Sequence, residues 1–164
     1  MKSLKLKLIL FVVLGVLITG CSKEDDGIYF EQINEVKTSY SPFELEILEL
    51  VNNHRMSIGI SPLQTLDVVS SVALEHSIYM VENDQINHEN FYKRQEQLAA
   101  NADAKSVGEN VAYGFIAAQG VLKAWLNSED HKTIIENRNF THFGISVEQN
   151  SDGRNYFTQI FIKR

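Results

Sequence analysis

The stretch VGENVAYGF, residues 107–115, sets one carboxylate, Glu109, among apolar and small side chains with no basic residue beside it. A buried acid is costly unless it is paired. Either Glu109 reaches a partner from a distant segment, which ties the fold together at this point, or the segment is exposed and the acid is unremarked. The rest of the chain has to supply that partner.

The start of the chain does not belong to the fold. Lys2, Lys5 and Lys7 precede an apolar run from Leu8 to Ile18, followed by Thr19, Gly20 and Cys21. A positive segment, a short apolar segment and small residues before a boundary make a secretory signal, residues 1–20. The run is too short for a comfortable transmembrane span. Cys21 is the single cysteine, so no internal disulfide exists. Ile18-Thr19-Gly20-Cys21 resembles the lipobox of bacterial lipoproteins, which are cut before the cysteine and lipidated on it. An ordinary signal with a stray thiol and an uncleaved anchor are the alternatives. Several acyl chains on Cys21 would hold a protein on a membrane, where one chain is marginal.

Residues 21–40 then read as a lipidated acidic tether. Treated as a flexible chain, about twenty residues span on the order of 25 Å. Lys23-Glu24-Asp25 resembles the short acidic export signals that send some lipoproteins to the outer-membrane surface; a plain soluble linker reads equally well. The whole chain carries 15 basic and 21 acidic side chains. The signal takes three lysines with it, so the mature chain is more acidic still. Nucleic-acid binding is excluded as a reading, because phosphate contacts need clustered Lys and Arg.

Residues 41–164 form the domain. Ser41-Pro42-Phe43-Glu44 has the cap, first-turn proline and third-position acid of a capping box. Phe43, Ile47, Leu50, Val51 and His54 follow at helical spacing, and Gly59 is a stop. A second helix spans about Leu66 to Glu82, with Val69, Val72, Ala73, His76 and Met80 on its apolar face. Shorter helices are expected over Phe91 to Ala100, Ala117 to Leu126, and from a cap at Ser128 to Ile135. The tail then changes period. Phe143 to Val147 and Tyr156 to Ile162 are β-rich around Asn150-Ser151-Asp152-Gly153, a hairpin signal. Helices first and antiparallel strands last give an α+β class.

Among the histidines, His76 sits on an apolar face and reads as a core residue. His54 reads as partly exposed packing, and His142 has no legible partner. His88 lies in a loop, where functional residues concentrate. His131 stands three residues after Ser128. HExxH, paired CxxC and GxSxG are absent, so the standard zinc-protease and serine-hydrolase readings lack support. Ser128 and His131 mimic a nucleophile and base, but a helix cap explains Ser128 more simply.

The combination is more specific than its parts. Val51-Asn52-x-x-Arg55 and Gly59-x-x-Pro62-Leu63 open the domain, and His88 and Gly108-Glu109-Asn110 follow. Trp125-x-Asn127-Ser128-x-x-His131, Asn139-Phe140-Thr141-x-x-Gly144 and Tyr156-Phe157-Thr158-Gln159 complete the order. Over roughly residues 43–162 this resembles the CAP superfamily, also called SCP/TAPS, in its bacterial form. The resemblance implies a three-layer α-β-α sandwich with a central antiparallel sheet. It also implies a cleft of histidines and acids in which His88, Glu109 and His131 would meet, giving Glu109 its partner. Some members bind a divalent metal there, so zinc or another divalent cation on His88 and His131 is one expectation. The chain departs from many eukaryotic members in two places. Ser128 stands where they carry the second acid, with Glu129 the nearest substitute, and Tyr156 stands where they carry a histidine.

Two functions follow as expectations. The first is an extracytoplasmic module of the bacterial cell envelope, held on the membrane by its lipid anchor. It would bind a lipid, a small hydrophobic ligand or a partner protein through the His/Glu cleft. The second is a metal-assisted, peptidase-like hydrolase, with Glu109 and His131 as the catalytic candidates. A purely structural tie between the Gly108-Glu109-Asn110 segment and the short helix is the plain alternative to both.

Overall fold

A computed structural model describes Ile33, Lys37 and residues 39–164. The signal, Cys21 and most of the tether lie outside the described residues. The helix α1, Pro42–Ser57, begins on the expected capping box: the Ser41 hydroxyl accepts from the Glu44 N–H while the Glu44 carboxylate accepts from the Ser41 N–H. Gly59 follows its end at φ +72°, a left-handed turn that glycine adopts without strain. The strand β1, Gln64–Thr65, leads into α2, Asp67–Asn83, and α3, Phe91–Ala102. Then come β2, Ser106–Tyr113, α4, Ala118–Leu126, α5, Glu129–Ile135, and the hairpin β3, His142–Gln149, with β4, Asn155–Lys163.

The strands form one sheet in the order β1-β3-β4-β2. The three long strands are antiparallel, and the two-residue β1 adds in parallel on β3. Alternation along β4 builds both faces. Phe157 and Phe161 point to one side, where they pack with Ile47 and Val51 of α1, Val121 and Trp125 of α4 and Ile135 of α5. Ile160 and Ile162 point to the other, against Val69, Val72 and Ala73 of α2 and Leu98 and Ala102 of α3. The result is the expected α-β-α sandwich.

The opening stretch is strand β2, which sequence periodicity did not reveal. Its burial is near-continuous from Gly108 to Ala112, so the polar/apolar alternation of a half-exposed strand never develops. Gly144 in β3 lets α2 approach the sheet directly: a β-carbon there would lie 2.4 Å from the Ser70 backbone nitrogen and 2.7 Å from the Val69 carbonyl carbon.

Two expected motifs serve architecture. The Asn52 side chain exchanges two hydrogen bonds with the Leu63 backbone, donating at 2.9 Å and accepting at 2.8 Å. The buried Arg55 guanidinium donates to the carbonyls of Ser61, Ile135 and Asn137, tying the end of α1 to the end of α5. Residues ahead of α1 also dock on the domain. The Lys37 ammonium pairs with the buried Glu44 carboxylate, and the Lys37 N–H donates to the Ser71 hydroxyl at 2.8 Å. Ile33 packs at the edge of the α2/α3 cluster.

Candidate functional site

Strand alternation determines what Glu109 meets. Odd-numbered side chains of β2 turn toward α2 and α3, and even-numbered ones toward α4 and α5. Glu109 is 4% exposed and enters the α2/α3 layer, where its chief partner is Arg94. Arg94 Nε donates to Oε2 and Nη2 to Oε1, both at 2.6 Å, a bidentate pair. A third Arg94 nitrogen donates to the Glu89 carbonyl at 2.7 Å. His88 Nδ1 donates to Glu109 Oε1 at 2.8 Å, with its ring half exposed at the rim. The buried His76 lies 4.0 Å from the same oxygen; its Nε2 donates to the Asn87 carbonyl, and its ring stacks on Tyr79.

Sequence reasoning therefore paired His88 with Glu109 and read His76 as a core histidine, but missed Arg94. The missed signal was legible in α3: Arg94, Leu98 and Ala102 recur every four residues and are the buried positions of that helix. A cation on a buried stripe calls for an acid.

His131 makes no hydrogen bond to this cluster, but it lies near enough that burial, then the His88 charge, hold its pKa below the ordinary 6.5. It sits in α5, on the other side of β2, and its Nδ1 lies 2.7 Å from the Ser128 hydroxyl. Its carbonyl accepts from the Asn110 side chain at 3.2 Å. Adjacent residues of a strand face opposite ways, so Glu109 and the Asn110 that touches α5 part company. Ser128 stands at the expected cap of α5, yet its hydroxyl makes no cap bond and turns to His131. Glu129 is exposed in the first turn of α5. Tyr156 is buried on the Glu109 side of β4, and its hydroxyl donates to Asp84 Oδ1 at 2.5 Å. His54 pairs with Glu136 at 2.9 Å, and His142 meets the Thr141 hydroxyl at 2.9 Å.

Between the α3 and α5 sides runs a groove of about 410 Å³ along the outer edge of β2. Val107, Gly108 and Glu109 form its floor, His88 and Phe91 one wall, and Ile134 and Phe140 the other.

The family model for the cysteine-rich secretory protein (CAP) family matches residues 48–161, which span the three layers and this groove. The chain belongs to the CAP family. The "uncharacterized membrane protein YlbC" of Bacillus subtilis (strain 168) is 34% identical over 124 residues, covering 74% of this chain and 34% of YlbC. YkwD of the same organism is 33% identical over 128 residues, covering 76% of this chain and 49% of YkwD. The chain thus spans between a third and a half of the length of these two relatives. An outer surface protein from Borrelia burgdorferi superposes with a TM-score of 0.68 at 24% identity, covering 79% of this chain and 99% of that one. That likeness speaks for the fold.

The residues of this CAP domain do not compose a metal centre as they stand. Among the described residues, no three His, Cys, Asp or Glu side chains are grouped to hold an ion. Both Glu109 oxygens are engaged by Arg94, whose charge opposes a cation beside it.

The cluster gives the CAP domain a defined acid response. Burial, then the Arg94 charge, hold His76 below its ordinary value of 6.5. The unfolded chain therefore takes up a proton that folded His76 resists, and this contribution to stability is lost as pH falls through the ordinary histidine range. For Glu109 burial acts upward, but the bonds from His88 and Arg94 outweigh it and hold the carboxyl below its ordinary value of 4.5. Its contribution is complete above that value and is lost as pH falls through the lower, folded value. The two slopes share a sign. Denaturant midpoints should therefore fall in two stages, the first setting in as pH drops below the ordinary histidine value of 6.5 and the second as it drops below the ordinary carboxyl value of 4.5. A flat profile between about pH 7 and 5.5 would contradict the neutral, buried His76.

Proposed function

We propose that this chain is a lipoprotein of the bacterial cell envelope, anchored through Cys21, whose CAP domain is an extracytoplasmic binding module for a lipid, a small hydrophobic ligand or a partner protein. The observation that carries this reading is the groove beside His88 and Glu109. Its 410 Å³ falls within the range of ordinary ligand sites, roughly 300–1,000 Å³. Apolar walls at Phe91, Ile134 and Phe140, with a half-exposed imidazole at the rim, suit a largely apolar guest with one polar group. The membrane and outer-surface names of the relatives support an envelope location.

The arrangement of Glu109 favours binding over catalysis. A general base needs lone pairs free to take a proton. Here Arg94 and His88 hold the carboxylate, and its ionised form is stabilised. The Ser128–His131 contact is a local pair within one helical turn, and no group orients the far side of the imidazole among the described bonds.

Titration with an apolar fluorescent dye of the anilinonaphthalene class tests the groove. One dye should bind per chain, and Ile134→Arg should weaken it at least tenfold while circular dichroism stays unchanged. Equal binding by the folded variant would remove the groove as the site. Zinc titrated alongside should give no heat that His88→Ala abolishes; a micromolar zinc site lost in that variant would revive the hydrolase reading.

A further inference from the structure

The floor of the groove is an open sheet edge. β2 is the last strand of the sheet and pairs on one side, with β4. The Gly114 N–H donates to the Asn155 carbonyl, in the same register as the β2–β4 pairs. Counting back in twos, residues 112, 110 and 108 direct their backbone groups to β4, and 111, 109 and 107 direct theirs outward. The Trp125 indole fits this count, since its Nε1 donates to the Val111 carbonyl from the outer side at 3.0 Å. Trp125 closes the edge at that point. The outward N–H and C=O groups of Val107 and Glu109 have no hydrogen-bond partner among the described residues, although Glu109 is 4% exposed.

Glu109 is nearly buried and Val107 partly so, and backbone groups without partners in such positions are rare in native proteins and call for an occupant. Two N–H and two C=O groups, repeating every second residue along about 7 Å, match the backbone of another extended chain. Alternate side chains of such a guest would meet His88 and Phe91 on one side and Ile134 and Phe140 on the other. At the open end of the edge the exposed Lys105 precedes β2, and its N–H donates to the carbonyl of the exposed Lys163 at the end of β4. In an acidic chain these two lysines favour a guest carrying an acidic side chain at that end.

We infer that the groove takes an extended peptide segment with an acidic end, which adds as a short extra strand to the outer edge of β2. The inference rests on the groove being a binding site and names the class of its ligand.

The test uses the full chain in lipid nanodiscs and the peptide acetyl-Glu-Val-Thr-Val-Thr-Glu-amide, with a lysine-ended counterpart. Hydrogen exchange should slow at least tenfold at the Val107 and Glu109 amides on peptide addition, with Gly108 and Asn110 unchanged. Anisotropy should show the lysine-ended peptide binding at least fivefold more weakly. Val107→Pro removes an outward donor and spares the ladder to β4, a place where an edge strand accepts proline. It should weaken binding at least tenfold. The inference is overturned by no binding at millimolar peptide, by binding without protection of the two amides, by amides already protected before peptide is added, or by unchanged binding in Val107→Pro. Should that variant not fold, the exchange pattern of the unaltered chain decides alone. A failed peptide with intact dye binding removes the peptide and keeps the groove, whereas failure of the dye removes both.

Discussion

Replacing Glu109 with alanine is expected to lower the melting temperature by about 10–20 °C. The substitution strands Arg94, whose side chain is 7% exposed, as a buried cation without its acid. Breaking a buried pair by removing one partner costs about 3–5 kcal/mol. For a domain of this size each kcal/mol moves the midpoint by roughly 4 °C. The half-exposed His88 adds little to that sum, because solvent screens it. A double replacement, Arg94→Met with Glu109→Leu, should recover much of the loss, since it removes both charges and keeps apolar volume. Thermal unfolding followed by circular dichroism reads both variants. If Glu109→Ala shifts the midpoint by under about 3 °C, the pair is not the anchor of the β2–α3 contact. If the double variant is as unstable as the single one, the loss lies elsewhere than in the stranded charge.

Gly144→Ala should be nearly as damaging although it adds one methyl group. The new carbon would stand 2.5 Å from the Ser70 hydroxyl as well as against the α2 backbone, and backbone cannot step aside as a side-chain tip can. That hydroxyl also accepts from the Ile145 N–H and meets the Tyr40 hydroxyl. Relief therefore requires α2 to lift from β3, opening the cluster of Val69, Val72 and Ala73. Overpacking costs about 1–3 kcal/mol where side chains can shift, and the upper end or beyond is expected here. Denaturant unfolding should show the loss, and Gly59→Ala, with open space around it but a positive φ, should lose less. Equal losses would mean that α2 shifts to admit the methyl group more cheaply than the close approach implies.

Much of this was legible in the sequence wherever local chemistry decides the outcome. Ser41 and Glu44 announce α1, and the Asn150–Gly153 turn announces the hairpin. The family order of motifs gave the three layers. β2 was not legible because its residues answer to partners on both faces. Gly108 is small because Ile134 and Phe140 press against that position, and Glu109 is acidic because Arg94 waits across the layer. Neither reason is visible along the chain. The same limit hid how His131 relates to Glu109: it reaches the site from α5, within range of the His88 charge rather than by a hydrogen bond to the acid. The motif spacing carries no statement of which face a side chain leaves from, and one residue of offset in a strand reverses it.

The docking of Lys37 and Ile33 sets a working radius. With Cys21 fixed in a bilayer as proposed, about twelve residue steps separate it from Ile33, and even fully drawn out they reach no more than about 43 Å. A domain of about 125 residues is itself roughly 30–35 Å across. The groove could then serve only guests that come within about two domain widths of the membrane surface, and a partner held deeper in the cell wall would have to extend an arm toward it.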